Sequence, residues 1–224
     1  MASASPLHSY LESYALISLE KQDKLEALVG EHLHELDLDA GKIRFADLEL
    51  PMQVIGTESD NTLTWLWAWA DEHTELPAGL LQSAIQLRNW GAHQGIEEFV
   101  TPSVDLARAD GHVISLIAAE ACGASCYYRD SYEGGAVYLL LFDKMIDEGP
   151  PFDRARLLLH MADLFSSYDL NHRNTLLSYL TAKGLSAASE GNLINCELQS
   201  GERLVAEFDD AGRLTLVNGA AFEI

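Results

Sequence analysis

Tyr127-Tyr128-Arg129 is the run whose residue types best suit a binding site. Phenolic hydroxyls and a guanidinium offer directed donors to an anionic ligand. The other distinctive run is Thr62-Leu-Thr-Trp-Leu-Trp-Ala-Trp-Ala70. On a strand, Trp65, Trp67 and Trp69 would project from one face about 6–7 Å apart. Such a row could form a flat platform for a sugar or another planar ligand. Small apolar Ala68 and Ala70 occupy the opposite face, and a strand apolar on both faces is an interior strand. The expectation is therefore that the indoles seal the core, with a carbohydrate platform as the alternative.

Other candidates are incomplete. His160 and Asp163 stand three apart on an expected helix and could share a metal, and His32 and His34 would project from one strand face. Neither pair reaches the three or four ligands a protein site needs, and no H-E-x-x-H occurs. Cys122 and Cys126 are four apart, which is neither a thioredoxin nor a zinc spacing, so both read as small buried hydrophobes. On the Ser125–Asp130 strand, Cys126, Tyr128 and Asp130 would share one face, Tyr127 and Arg129 the other. Ser18-Leu-Glu-Lys21 fits S-x-x-K and Ser59-Asp-Asn61 fits S-D-N, but K-T-G is missing. Without it the pair reads as a chance match. Phosphate-binding glycine loops and a G-x-S-x-G elbow are also missing, so no cofactor is expected.

The elements that must position these residues follow from periodicity. Residues 7–29 carry helical spacing (Leu7, Leu11, Ala15, Leu25, Val29), with Pro6 in the first turn and Gly30 as a stop. Period-two segments at 32–38, 42–48, 52–58 and 62–70 predict an antiparallel meander, turning at Asp39-Ala-Gly41 and Thr57–Asn61. Helices are expected at 78–91 and 110–122, a hairpin at 124–130 and 136–142, and helices at 153–167 and 172–183. Three strands follow near 192–198, 203–209 and 213–218. Asp39-Ala-Gly41 and Asp210-Ala-Gly212 echo one another, which reads as two hairpins sharing one turn chemistry. The class is α+β: one domain over 1–224, a mainly antiparallel sheet, helices packed mainly on one face.

The Thr64–Ala70 strand resembles the signature of a bacterial family of domains of unknown function. Leu19-Glu-Lys-Gln22, Gln53-Val-Ile-Gly56, Arg108-Ala-Asp-Gly-His112 and Gly123–Arg129 are similar to other blocks of that family. The likeness runs from about residue 15 to 142 and is looser beyond. It implies a bacterial source and a single cytosolic unit, and it carries no site residues.

Charge narrows the partners. The chain has 224 residues, with 35 Asp plus Glu against 14 Lys plus Arg, a formal net of −21. That field repels polyphosphates, so a nucleic-acid partner is not expected. No apolar run is long enough to span a bilayer, and the opening residues lack the basic start of a signal peptide. Three cysteines form no disulfide framework, which points to a reducing cytoplasm. Residues 1–76 hold 15 acids and 4 bases, over half of the excess. The leading expectation is a non-enzymatic module for a protein or small ligand. The alternatives are an acidic immunity-type protein masking a basic toxin, and an enzyme whose site (His160, Asp163, Cys126, Tyr128, Arg129) assembles only in the fold.

Overall fold

The computed structural model describes residues 5–30, 33–72 and 75–222. Helix α1 (Pro6–Val29) starts with proline in its first turn and stops where Gly30 adopts φ 57°, its N–H bonded to the Glu26 carbonyl at 2.8 Å. The chain divides into two compact units, and the division falls inside this helix. One unit holds Lys21–Gly149 with the residues before His8. The other holds His8–Glu20 and Pro150–Ile224.

The first unit is built on a curled antiparallel sheet. Its strands are β1 (His34–Asp37), β2 (Lys42–Phe45), β3 (Leu48–Ser59), β4 (Thr64–Trp67) and β5 (Ser103–Asp105), bonded in that order. Between β4 and β5 lie α2 (Gln82–Gln94) and the short α3 (Glu97–Val100). Then come α4 (Gly111–Ala121), the hairpin β6 (Cys126–Tyr132) and β7 (Gly135–Leu141), and α5 (Lys144–Asp147). β7 pairs with β3 as well as β6, and a register shift between Val54 and Gly56 bends the long β3. Successive residues of β7 face opposite ways. Leu139 and Leu141 join a core with Leu25, Val29, Ile43, Leu50, Met52 and Ala84, whereas Tyr138 packs against Gly111 of α4. Helices thus cover β7 on both sides.

The second unit contains α6 (Arg154–Ser167), α7 (His172–Ala182) and a five-stranded antiparallel meander. Its strands are β8 (Ala187–Glu190), β9 (Leu193–Glu197), β10 (Arg203–Phe208), β11 (Leu214–Val217) and β12 (Ala220–Ala221). Burial alternates along β9 and β10, so Ile194, Cys196, Leu204, Ala206 and Phe208 form one covered face. Asp153 and Asn171 cap the two helices, accepting from the N–H of Arg156 and Asn174. Among the described residues no helix is long and apolar enough to cross a membrane.

The α+β class and antiparallel pairing stand, and several boundaries move. The expected strand 62–70 ends at Trp67, and Ala68–Ala70 is a 3₁₀ turn. The strands expected at 42–48 and 52–58 meet at a tight turn where Ala46 takes φ 49°. Alanine carries no turn signal, so that turn was invisible. β3 then continues to Ser59, into the first half of the stretch expected to turn, and the turn itself spans residues 60–63. The final strands number five across a sheet of their own, with β8 and β12 added. The echoed turns share a left-handed glycine, Gly41 and Gly212 taking φ 67° and 80°, but the aspartate that accepts from the alanine N–H stands three residues before that alanine in the first (Asp37) and two in the second (Asp209).

Candidate functional site

Strand alternation separates the tyrosine–arginine run, as its period-two reading required. Tyr127 and Arg129 lie on the α4 side of β6, and Tyr128 lies on the other. On the α4 side, Arg129 Nε donates to the Tyr138 hydroxyl at 3.1 Å, and that hydroxyl donates to Glu58 Oε2 at 2.5 Å. Arg129 also donates to the Ser131 hydroxyl. Tyr127 Oη and His112 Nδ1 are 3.1 Å apart, and the His112 ring stands edge-on to Tyr138. Burial, then the Glu58 carboxylate, push the Tyr138 phenol well above its ordinary value. It therefore stays neutral and bridges a cation to an anion. The result is a clamp across β3, β7 and β6.

A second clamp occupies the opposite face. His34 Nε2 is 2.9 Å from Asp130 Oδ1, and His34 Nδ1 is 3.1 Å from the Tyr128 hydroxyl. In the tautomer that directs its N–H at the carboxylate, Nδ1 accepts from the phenol. Phe45 stands edge-on to Tyr128 with ring centres 5.2 Å apart. The order hydroxyl–imidazole–carboxylate matches a nucleophilic triad. The electrostatics run the other way, because burial and Asp130 raise the Tyr128 phenol. Its proton is held in place, and the trio ties β1 to β6.

The tryptophans are interior. Trp65 and Trp67 are both 0% exposed, and they meet edge to face at 5.4 Å. Gly56 makes room for the first: a Cβ there would lie 2.3 Å from Trp65 Cζ2. Trp67 Nε1 donates to the Glu98 carbonyl at 2.9 Å. Trp69 leaves the row because the strand has ended, and its half-buried ring stacks on Trp67 at 6.4 Å beneath the Arg88 guanidinium. The structure thus brings Tyr127 and Arg129 onto the same side of the sheet as Trp65 and Trp67, and enclosed indoles present no open ring face there.

Thiol and metal chemistry find little support in this geometry. Burial pushes the Cys122 thiol to about 11 and raises those of Cys126 and Cys196. The His160 ring stacks on Phe152 at 4.8 Å. His32 lies outside the described residues. Among the described residues no group of three or more His, Cys, Asp or Glu is placed to hold a metal.

A surface that the motif search passed over lies on α2. Ser83, Ala84, Leu87 and Gly91 are buried, and Gly91 lies so close to Phe99 that a Cβ would stand 2.4 Å from its side chain. The other side presents Gln82, Ile85, Gln86, Asn89, Trp90 and His93, which line an open groove of about 770 Å³. Ile85 is 40% exposed. From Pro77 to Ile96 the chain has no Asp or Glu, although acids make up 35 of its 224 residues. That acid-free run, with Ile85 and Asn89 and with Gln86 and Trp90 four residues apart, was the available signal.

The family described as "Family of unknown function (DUF6882)" matches residues 8–144, more than half of the chain. No curated protein and no solved structure matches it.

Proposed function

This chain belongs to DUF6882, a family of unknown function, and we propose that it is a non-catalytic binding module that docks a partner protein on the acid-free face of α2. That uncharged, partly apolar groove on a chain of net charge −21 is the observation that carries the reading. The Arg129–Tyr138–Glu58 and Tyr128–His34–Asp130 groups are engaged in holding strands together, and the thiols are shielded. Surfaces of this kind take an amphipathic helix through anchors at helical spacing. The complementary occupant presents an apolar stripe flanked by Lys and Arg: the stripe meets Ile85 and Trp90, and the basic rim suits a chain of net charge −21. The free thiols, two of the three buried, suit a reducing cytoplasm, which is where we place it.

The test compares the wild-type chain with Ile85→Asp. A protein captured from the producing cells is purified and titrated against both. The variant, with unchanged melting, binds at least about tenfold more weakly, a difference of about 1.4 kcal/mol. Equal affinity, or turnover of a substrate by the purified chain, overturns the reading.

The charge favours a narrower second form, an antagonist that covers a basic enzyme. Residues 1–76 carry a net −11, which would steer such a partner and make association salt-sensitive. An association rate that is flat from low to physiological salt removes this form and leaves the first.

A further inference from the structure

A cleft of about 330 Å³ in the C-terminal unit lies where Phe165, Tyr168, Asp169 and His172 meet Arg213. We infer that it is a binding site for a small oxyanion, a carboxylate or phosphate group, held by His172 and Arg213. This inference does not depend on the α2 docking surface.

His172 lines the cleft yet is only 5% exposed. Its ring lies flat on Phe165, with centres 3.7 Å apart and planes 3° from parallel. The Leu214 N–H donates to His172 Nδ1 at 3.1 Å. A backbone N–H on Nδ1 requires that nitrogen to be an acceptor, so the neutral ring carries its proton on Nε2. Among the described residues no protein group accepts from Nε2. Burial, then the nearby Arg213 charge, hold His172 below its ordinary value, against the opposing pull of Asp209 and Asp169. The ring therefore presents a fixed, neutral N–H donor at neutral pH.

Arg213 supplies the charge. Its guanidinium is exposed, and no described carboxylate lies within ion-pairing distance of it. The neighbouring Asp209 is engaged locally, accepting from the backbone N–H of Ala211 and Arg213 at 2.9 and 2.8 Å. In a chain with 35 acids and 14 bases, most cations can find partners, yet this one stands beside the His172 ring. A planar fork and an imidazole N–H match the lone pairs of a carboxylate or phosphate. Asp169 also lines the cleft and opposes an anion, which limits affinity and supplies a control.

The experiment titrates the full chain with sodium phosphate and, separately, sodium acetate at constant ionic strength. Histidine-ring ¹H–¹⁵N spectra report on Nε2. The expected result is a saturable shift of the His172 resonances, and the tighter arm identifies which oxyanion the site prefers. Arg213→Gln weakens that binding by about tenfold or more, and Asp169→Asn tightens it several-fold. Circular dichroism verifies that both variants are folded. No saturable shift with either anion, unchanged affinity in Arg213→Gln, or weaker binding in Asp169→Asn would overturn the inference.

Discussion

The Tyr138 hydroxyl donates to Glu58 across 2.5 Å, joining β7 to β3 while Arg129 donates to the same oxygen from β6. One buried phenol therefore couples three strands. Tyr138→Phe should leave Glu58 and Arg129 without their bridge and cost about 1–3 kcal/mol in urea unfolding. A loss within a few tenths of a kcal/mol would mean that the clamp contributes nothing measurable.

Glu20, 1% exposed, provides a pH test in the other unit. Its carboxylate accepts from Lys183 Nζ and the Tyr179 hydroxyl, both at 2.6 Å. Burial raises its pKa, but the bonds from Lys183 and Tyr179 outweigh burial and hold it below 4.5. A depressed carboxylate stabilises the fold fully above its unfolded value, and that stabilisation is lost as pH falls through the folded value. Glu20→Gln should cost about 3 kcal/mol near neutral pH by leaving Lys183 without its anion. It should also flatten the stability slope below about pH 4.5. An unchanged acid limb would remove Glu20 as its source.

Thiol labelling tests the shielding of the cysteines. With Cys122 raised to about 11 and Cys126 and Cys196 also raised, iodoacetamide at pH 8 should leave the native chain largely unmodified and label all three thiols after denaturation. Rapid labelling of one native cysteine would identify an activated nucleophile and revive the enzyme reading.

Gly56 should tolerate no side chain. Its missing Cβ would sit 2.3 Å from Trp65 and 2.6 Å from the Leu66 carbonyl oxygen. Gly56→Ala is expected to cost at least about 2 kcal/mol and to red-shift tryptophan emission as the ring is displaced. Wild-type stability and an unshifted spectrum would show that the sheet bends to make space.

Local pattern made some of this visible from residues alone. Period-two alternation separated Tyr128 from Tyr127 and Arg129, and two apolar faces marked the Trp65–Trp67 strand as interior. The clamps were hidden because they are non-local: His34 reaches Tyr128 across 94 residues, and Tyr138 reaches Glu58 across 80. Glu58 was further obscured by an expected turn over Thr57–Asn61. The observed turn, residues 60–63, shares Asp60 and Asn61 with it but runs on to Leu63, which takes φ 53°, a conformation that leucine does not advertise. The α2 face was legible as an acid-free run, but a search for reactive motifs does not look for absent charge.

Amide hydrogen exchange on the complex with the purified partner tests the docking surface most directly. Gln82–Gln94 should exchange more slowly when bound than when free, and Ile85→Asp should abolish that protection. Unchanged exchange across α2, with slowing confined to another surface of a complex formed at full affinity, would contradict it.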